Sequence, residues 1–267
     1  MLADGPGGTR ASKRNHAGLQ LPTVRVVLPA YNEAAALGPL LSELRTVVDG
    51  EPFHCETIVV DDGSQDDTAR IASQASFHMP LDVVAHSINQ GLAAALRTGL
   101  SAALAAADPE DVIITLDADN THPPTIIPQL LRRINEGYDV VIASRYQPGA
   151  VVRGVPTSRR LLSDLARYVF QWLLPVRGAR DYTCGYRAYR ASALYRAFDR
   201  YGEKFIAERG FSCMAEVLLK LHELGCTISE VPLHLHYDRR GAGSKMQVLR
   251  TVRETLTLVV RYRIRKP

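Results

Sequence analysis

Five short apolar runs, the first four each followed by a segment with helical character, constrain the fold of this chain more than any other feature. Residues 24–28, 56–60, 81–85, 111–116 and 139–143 read as buried strands. After the first, Leu37, Leu40, Leu41, Leu44, Val47 and Val48 recur at helical spacing, with Pro39 tolerated as a first-turn residue. Ser64 is placed to cap the next helix, with Asp67 three residues on. An alanine-rich helix is expected over 91–107, and Pro123 and Pro124 open another that ends near Glu136. Strands alternating with helices imply an α/β fold, a Rossmann-like, mostly parallel sheet with helices on both faces. Ligands of such sheets bind at the carboxyl ends of the strands. The loops 29–33, 61–66 and 117–121 are therefore predicted to meet.

The second half is less regular. Helices are expected over 161–174 and 211–224, and strands over 185–190 and 228–237, the last with Pro232 marking an edge or a bulge. Residues 23–245 read as one domain, and 46% hydrophobic content in 267 residues supports a sizeable core. Residues 1–22 are polar and Gly-rich, lack the apolar stretch of a secretory signal, and are expected to be disordered. Residues 246–267 read as an amphipathic helix and a basic tail, docked on the core or touching a bilayer. No apolar run approaches the roughly 20 residues of a spanning helix. Cys55, Cys184, Cys213 and Cys226 form no C-x-x-C pair, so reduced thiols in a cytoplasmic protein are expected.

Three strand ends carry acids: Glu33, then Asp61 and Asp62, then Asp117 and Asp119. One acid at a turn means little, because Asp is a common turn residue. Three acidic ends in one crevice repel unless a cation or hydrogen-bond donors compensate. A hard divalent ion, Mg²⁺ or Mn²⁺, takes oxygen ligands and shares them between carboxylates and substrate phosphates. Asp117 and Asp119, at i and i+2 in extended chain, can address one such ion. The bland alternative for a bare D-x-D is a solvated turn after a buried strand.

The ordered motifs resemble a known family. Val26-Val27-Leu28-Pro29-Ala30-Tyr31-Asn32-Glu33, Ile58-Val59-Val60-Asp61-Asp62-Gly63-Ser64, Asn89-Gln90-Gly91 and Asp117-Ala118-Asp119 are similar to the signatures of inverting family 2 glycosyltransferases. The resemblance implies a glycosyltransferase A-type (GT-A) fold. Ala143-Ser144-Arg145-Tyr146, the run from Ser158 to Ser163, and Asp181-Tyr182-Thr183-Cys184-Gly185-Tyr186-Arg187-Ala188 resemble the dolichol-phosphate (polyprenyl-phosphate) mannose synthase branch. On that resemblance, Pro29, Tyr31, Glu33, Asp61 and Asp62 frame the nucleotide-sugar, and Asp117 and Asp119 hold the metal. Asp119 is also counted with the catalytic set. Arg145, Arg159, Ser163 and Arg239 grip an acceptor phosphate, and Lys245 lies near a loop closing over the donor. The sequence departs from the branch at Thr121, where a Gln ligand is often found, at Cys184 for Ser, and at Ala242 for Gly.

Charge supports a phosphate-binding role. Residues 145–200 hold 11 Arg, no Lys, 3 Asp and no Glu, a local charge of +8 in a chain whose net charge is +4. Arginine forks suit phosphate oxygens, so Arg145, Arg159 and Arg239 are expected to converge into an anion site. An ionised phosphate acceptor needs no general base, whereas an alcohol does. Asp181 and Glu216 are the candidate bases, with an arginine-anchoring role as the alternative. The expected reaction is inverting transfer of a hexose, GDP-mannose being the favoured donor, to a polyprenyl or dolichyl phosphate. A soluble hydroxyl acceptor and a non-catalytic nucleotide-sugar-binding subunit are the rival readings. Nucleic acid is not an expected partner. The expected location is cytoplasmic, with peripheral contact on the cytoplasmic face of a membrane.

Overall fold

The computed structural model describes residues 22–155, 157–208, 210, 212–239 and 257–262, with side chains of 158–162 left aside. The expected tail over 1–22 and Lys245 therefore fall outside the described residues, Pro22 excepted, as does most of 246–267.

The first half alternates as the apolar runs require. Its elements are β1 (Thr23–Ala30), α1 (Ala34–Asp49), β2 (His54–Asp61), α2 (Thr68–Ala75), β3 (Leu81–Ala85), α3 (Leu92–Ala105), β4 (Val112–Thr115), α4 (Ile127–Asn135) and β5 (Val140–Ser144). β4 and β5 are buried along their whole length, which is why they read as unbroken Val and Ile runs rather than as alternating ones. The second half adds β6 (Val151–Arg153), α5 (Thr157–Leu173), β7 (Arg187–Arg190), α6 (Ala191–Tyr201), α7 (Ser212–Glu223), β8 (Ile228–Pro232) and β9 (His234–His236).

Seven strands form one sheet in the order β3-β2-β1-β4-β7-β5-β8. β7 is antiparallel to both neighbours, and the other pairings are parallel. β6 and β9 make a separate two-stranded ribbon. The long strand expected over 228–237 is thus two strands, interrupted at Leu233, just after Pro232. Proline cannot donate to a ladder, and β8 is an edge strand of the main sheet, where that loss is tolerated.

Three local expectations are corrected. Ser64 does not cap α2, because the helix begins at Thr68 and the Ser64 hydroxyl instead accepts from the Asn32 amide at 2.9 Å. Pro39 sits in the second turn of α1, not the first. The helix tolerates it because Pro39 and Ala35 lie on the exposed side, where the carbonyl that lacks its donor can meet water. The segment after Pro123 starts as a 3-10 turn, Pro124–Ile126, before α4.

Packing is tight where helix meets sheet. A Cβ on Gly99 of α3 would stand 2.3 Å from Val27 Cγ1, so only glycine lets this helix approach β1. Arg25, 1% exposed on β1, is held by Asp111 at 2.6 Å and by the Ala106 carbonyl at 2.8 Å. The helical residues 257–262 bury Leu258, Val259 and Tyr262 against the core. All four cysteines are buried free thiols.

Candidate active site

β1 lies between β2 and β4, so the loops after these three strands leave the sheet side by side. Asp61 ends β2 and Asp117 follows β4, so the two flank β1, their strands about 10 Å apart. The first two loops are stitched together. Asn32 N donates to Ser64 Oγ at 2.9 Å, Gln65 N to Asn32 Oδ1 at 2.8 Å, Glu33 N to Thr68 Oγ1 at 2.8 Å, and Ala34 N to Asp66 Oδ2 at 3.1 Å. Asn32 takes a φ of 51°, a left-handed turn that Asn accepts more readily than most residues. Pro29 is the penultimate residue of β1, and Tyr31 and Glu33 follow it at the crevice edge, half-buried.

The paired acids after β2 have different fates. Asp61 is buried, and its Oδ1 accepts the Ser64 amide at 3.2 Å. Asp62 accepts Gln90 N at 2.9 Å, Gly91 N at 2.7 Å and the His86 ring at 2.7 Å. A carboxylate acceptor puts the His86 proton on Nδ1, and Nε2 then takes the Thr98 hydroxyl at 3.0 Å. Asp62 therefore ties the 86–91 loop and the start of α3 to β2. A buried carboxylate with three protein partners acts in the scaffold, beside its expected place in the donor site.

The Asp117-Ala118-Asp119 segment is fixed from three sides. Thr121 donates from both N and Oγ1 to Asp119 Oδ1, at 3.1 and 2.7 Å. Thr121 O in turn accepts from His236 N of β9 at 2.9 Å. Gly185, in the loop before β7, lies so close that a Cβ there would be 2.8 Å from Asp117 Oδ1. His122 is buried, and its Nδ1 has no hydrogen-bond partner while standing 3.7 Å from Asp117 Oδ2.

This donor set fits a hard divalent cation. Two carboxylates on one loop present oxygen, and the buried His122 Nδ1, without a hydrogen-bond partner, lies beside Asp117. Among the described residues no group of three or more His, Cys, Asp or Glu is placed to hold a metal ion by itself. Magnesium-like ions suit such a site, because they take one or two carboxylates and leave the rest to phosphate and water.

The expected arginines each have a carboxylate partner where they are described. Arg145, after β5, forms a two-pronged pair with Asp181, Nε to Oδ2 at 2.8 Å and Nη2 to Oδ1 at 2.7 Å, and adds Thr183 Oγ1 at 2.7 Å. Burial works against both charges, but each overrides it for the other. The Asp181 carboxyl is held below its usual range and the Arg145 guanidinium above its own. Arg239 is half-exposed and pairs with Glu43 of α1 at 3.3 Å. Arg145 and Arg239 thus pair with separate carboxylates in this structure. Ser163 lies half-buried on α5, and the Arg159 side chain lies outside the described residues.

Neither candidate base is disengaged. Asp181 is fully buried on Arg145 and also takes the Cys184 amide at 3.0 Å. Glu216 accepts Lys220 Nζ at 2.6 Å and the Ala207 and Glu208 amides at 2.8 and 2.7 Å. Sequence reasoning missed three site-forming residues: His122, Gly185 and Arg187. Arg187 is fully buried and donates to the carbonyls of Met214 and Tyr182, at 2.7 Å each, tying the 182–187 loop to α7. The Tyr182-to-Arg187 run was visible as a motif, but nothing in spacing shows which of its members turn inward.

Comparison with known proteins decides the family. The model of glycosyl transferase family 2 matches residues 25–198. The chain belongs to glycosyl transferase family 2. Its relatives include a dolichol-phosphate mannosyltransferase of Pyrococcus furiosus, 33% identical over 74% of this chain, of which the chain spans about half the length (52%). A polyprenol monophosphomannose synthase of Mycolicibacterium smegmatis is 31% identical over 91% of this chain and 89% of its own. Glucosyl-3-phosphoglycerate synthase of Mycobacterium tuberculosis, solved with Mn²⁺, UDP and glucosyl-3-phosphoglycerate, superposes with a TM-score of 0.63 at 23% identity, over 98% of this chain and 86% of its own. That likeness shows the shared GT-A-like fold.

Proposed function

We propose that this family 2 glycosyltransferase moves a hexose, mannose in the favoured case, from a nucleotide-sugar to a polyprenyl phosphate. Support comes from the named relatives, two of which carry polyprenol or dolichol phosphate in their names. It also comes from one observation at the site: Asp181 and Glu216 are both engaged in buried ion pairs. An acceptor that arrives already ionised needs no base, and a phosphate monoester at neutral pH is such an acceptor.

In this reading, Pro29, Tyr31 and Glu33 border the nucleotide, with Asp61 at the adjoining strand end. Asp117 and Asp119 would hold Mg²⁺ or Mn²⁺. When bound, the ion supplies positive charge to the departing diphosphate. Thr121 orients Asp119, and Gly185 leaves room for Asp117. The acceptor phosphate oxygen attacks the anomeric carbon from the side opposite the leaving group, so one bond forms as the other breaks and configuration inverts. Ser163, Arg159 and Arg239 remain the proposed phosphate contacts, Arg239 after leaving Glu43. Arg145 becomes a positioning residue that orders the 181–184 loop. Lys245 is proposed to close over the donor. A cytoplasmic location, at the membrane face where the acceptor lies, belongs to the same reading.

The test is transfer by the purified chain from GDP-mannose to polyprenyl phosphate, against a panel of soluble alcohols, with and without Mn²⁺. Product on the phosphate supports the proposal. Product on an alcohol alone favours the soluble-acceptor alternative.

A further inference from the structure

The segment that carries Asp117 and Asp119 also holds two buried polar atoms without a hydrogen-bond partner, Asn120 Oδ1 and His122 Nδ1. The histidine has a clear direction. It is 5% exposed, and its Nδ1 stands 3.7 Å from Asp117 Oδ2. That is too long for a hydrogen bond, and a shift of roughly 1 Å closes it. The other oxygen of the same carboxylate faces Gly185, where a Cβ would stand 2.8 Å away. Asp117 therefore lies between a glycine that leaves it room and an imidazole that lacks a partner. The imidazole is held in that place. Its ring centroid is 5.5 Å from that of fully buried Tyr186, whose hydroxyl donates to the Pro123 carbonyl at 3.3 Å. His122 precedes Pro123, and a residue before proline is steered to extended backbone. On its other side, the Thr121 carbonyl accepts from His236 N at 2.9 Å.

We propose that His122 is a positioning residue for Asp117: its Nδ1–H holds one oxygen of that carboxylate while the other is given to the divalent cation. The inference rests on the metal-binding reading of Asp117 and Asp119 above and does not depend on the acceptor. A ring nitrogen that faces a carboxylate carries the proton, so Nδ1 donates. A nitrogen used in this way offers the cation no lone pair, and magnesium-like ions favour oxygen over imidazole. A ligating carboxylate with its second oxygen held keeps its lone pairs aimed at the ion. Partners of this outer kind are worth roughly 10- to 100-fold in metal affinity. Asp119 is already served in the same manner, by the amide and hydroxyl of Thr121 on Oδ1. Two successive residues thus hold the two acids, Thr121 the second and His122 the first. The unpaired nitrogen costs stability in the metal-free chain, and a local cost of that sort belongs at a functional site.

The test uses the full chain and Mn²⁺ alone, without donor or acceptor. His122→Phe keeps a ring against Tyr186 and removes the donor, whereas His122→Asn keeps an N–H donor near the place of Nδ1. Mn²⁺ binding is read from the spin-resonance signal of the free ion, and the thermal midpoint is read without metal. His122→Phe is expected to weaken Mn²⁺ binding about tenfold or more, and His122→Asn to recover most of that loss. The metal-free midpoint of His122→Phe should equal or exceed wild type, because apolar atoms replace an unpaired buried nitrogen. A residue that only fills space gives the reverse, a lowered midpoint with Mn²⁺ affinity unmoved, and that result overturns the proposal. A ring nitrogen coupled directly to Mn²⁺ in the pulsed spectrum of the wild type also overturns it, making His122 a ligand. Should His122→Phe not fold, the wild-type chain labelled with ¹⁵N-histidine serves instead. Mg²⁺ should then bring out one slowly exchanging ring N–H that His122→Asn lacks, and no such signal overturns the proposal. Asp117→Asn separates the two readings. Mn²⁺ binding lost there but kept in His122→Phe defeats the positioning role alone, and Mn²⁺ binding kept in Asp117→Asn defeats the metal reading together with it.

Discussion

Arg145 and Asp181 form a buried two-pronged ion pair, 36 residues apart in the chain and closed by bonds of 2.8 and 2.7 Å. An arginine held this way has a structural role whether or not it also meets phosphate. It fixes the strand end after β5 to the loop that leads through Gly185 to β7. Removing the carboxylate leaves a largely buried guanidinium uncompensated, so Asp181→Asn is expected to destabilise the fold by about 3 kcal/mol. Denaturant unfolding reads this directly. A midpoint equal to wild type would return Arg145 to the list of phosphate contacts.

The same pair sets a pH dependence. The folded Asp181 pKa lies below the ordinary 3.8, so its contribution is fully present above that value and is lost as pH falls through the lower, folded pKa. The stability gap between wild type and Asp181→Asn should therefore stay constant near neutrality and shrink only below pH 3.8. Unfolding curves at a series of pH values check this. Glu230, which accepts the Arg180 and Asp181 amides, acts in the opposite sense. Burial raises its pKa, so its contribution is fully present below the ordinary 4.5 and is lost as pH rises through the folded value.

Gly185→Ala places a methyl 2.8 Å from Asp117 Oδ1. Either the carboxylate or the 182–186 loop must move. The expected outcome is weakened Mn²⁺ binding, on the order of tenfold or more, read by calorimetry or by the spin-resonance signal of free Mn²⁺. Unaltered Mn²⁺ affinity would mean that Asp117 is not a ligand.

Thr121 separates orientation from ligation. Thr121→Val removes the 2.7 Å bond to Asp119 and keeps the shape, whereas Thr121→Ser keeps the hydroxyl. If the hydroxyl orients Asp119, Val should weaken Mn²⁺ binding by roughly tenfold and Ser should restore it.

Asp62→Ala tests whether the second acid after β2 serves the scaffold or the donor site. It orphans the amides of Gln90 and Gly91. A cost of about 2–4 kcal/mol is expected, with faster amide exchange across residues 86–91. Lost donor affinity at unchanged stability would restore Asp62 to the binding set.

The parallel core was legible because its strands are buried on both sides and read as unbroken apolar runs, and because turn residues punctuate them. The acids at those strand ends were legible as positions, not as roles. Asp61 and Asp62 are adjacent and both buried, yet one accepts the Ser64 amide of its own loop and the other the 86–91 loop, a partnership set by tertiary approach. β6 and β9 pair over three residues each, too short for periodicity to show. α6 escaped notice because its buried face is built largely from alanine: Ala191, Ala193 and Ala197 beside Leu194. The arginine cluster is a similar case. Local charge shows a bias toward anions but not which anion each side chain meets, and for Arg145 it is Asp181.

The most direct measurement of the central claim is the position of the transferred sugar. Purified chain, Mn²⁺, GDP-[¹⁴C]mannose and polyprenyl phosphate are incubated together, and the lipid product is hydrolysed in mild acid. The account predicts label joined to the lipid phosphate, released as free mannose, and absent with Asp117→Asn or Asp119→Asn. Label found on a hydroxyl acceptor, with none on the lipid phosphate under any donor tried, would contradict it.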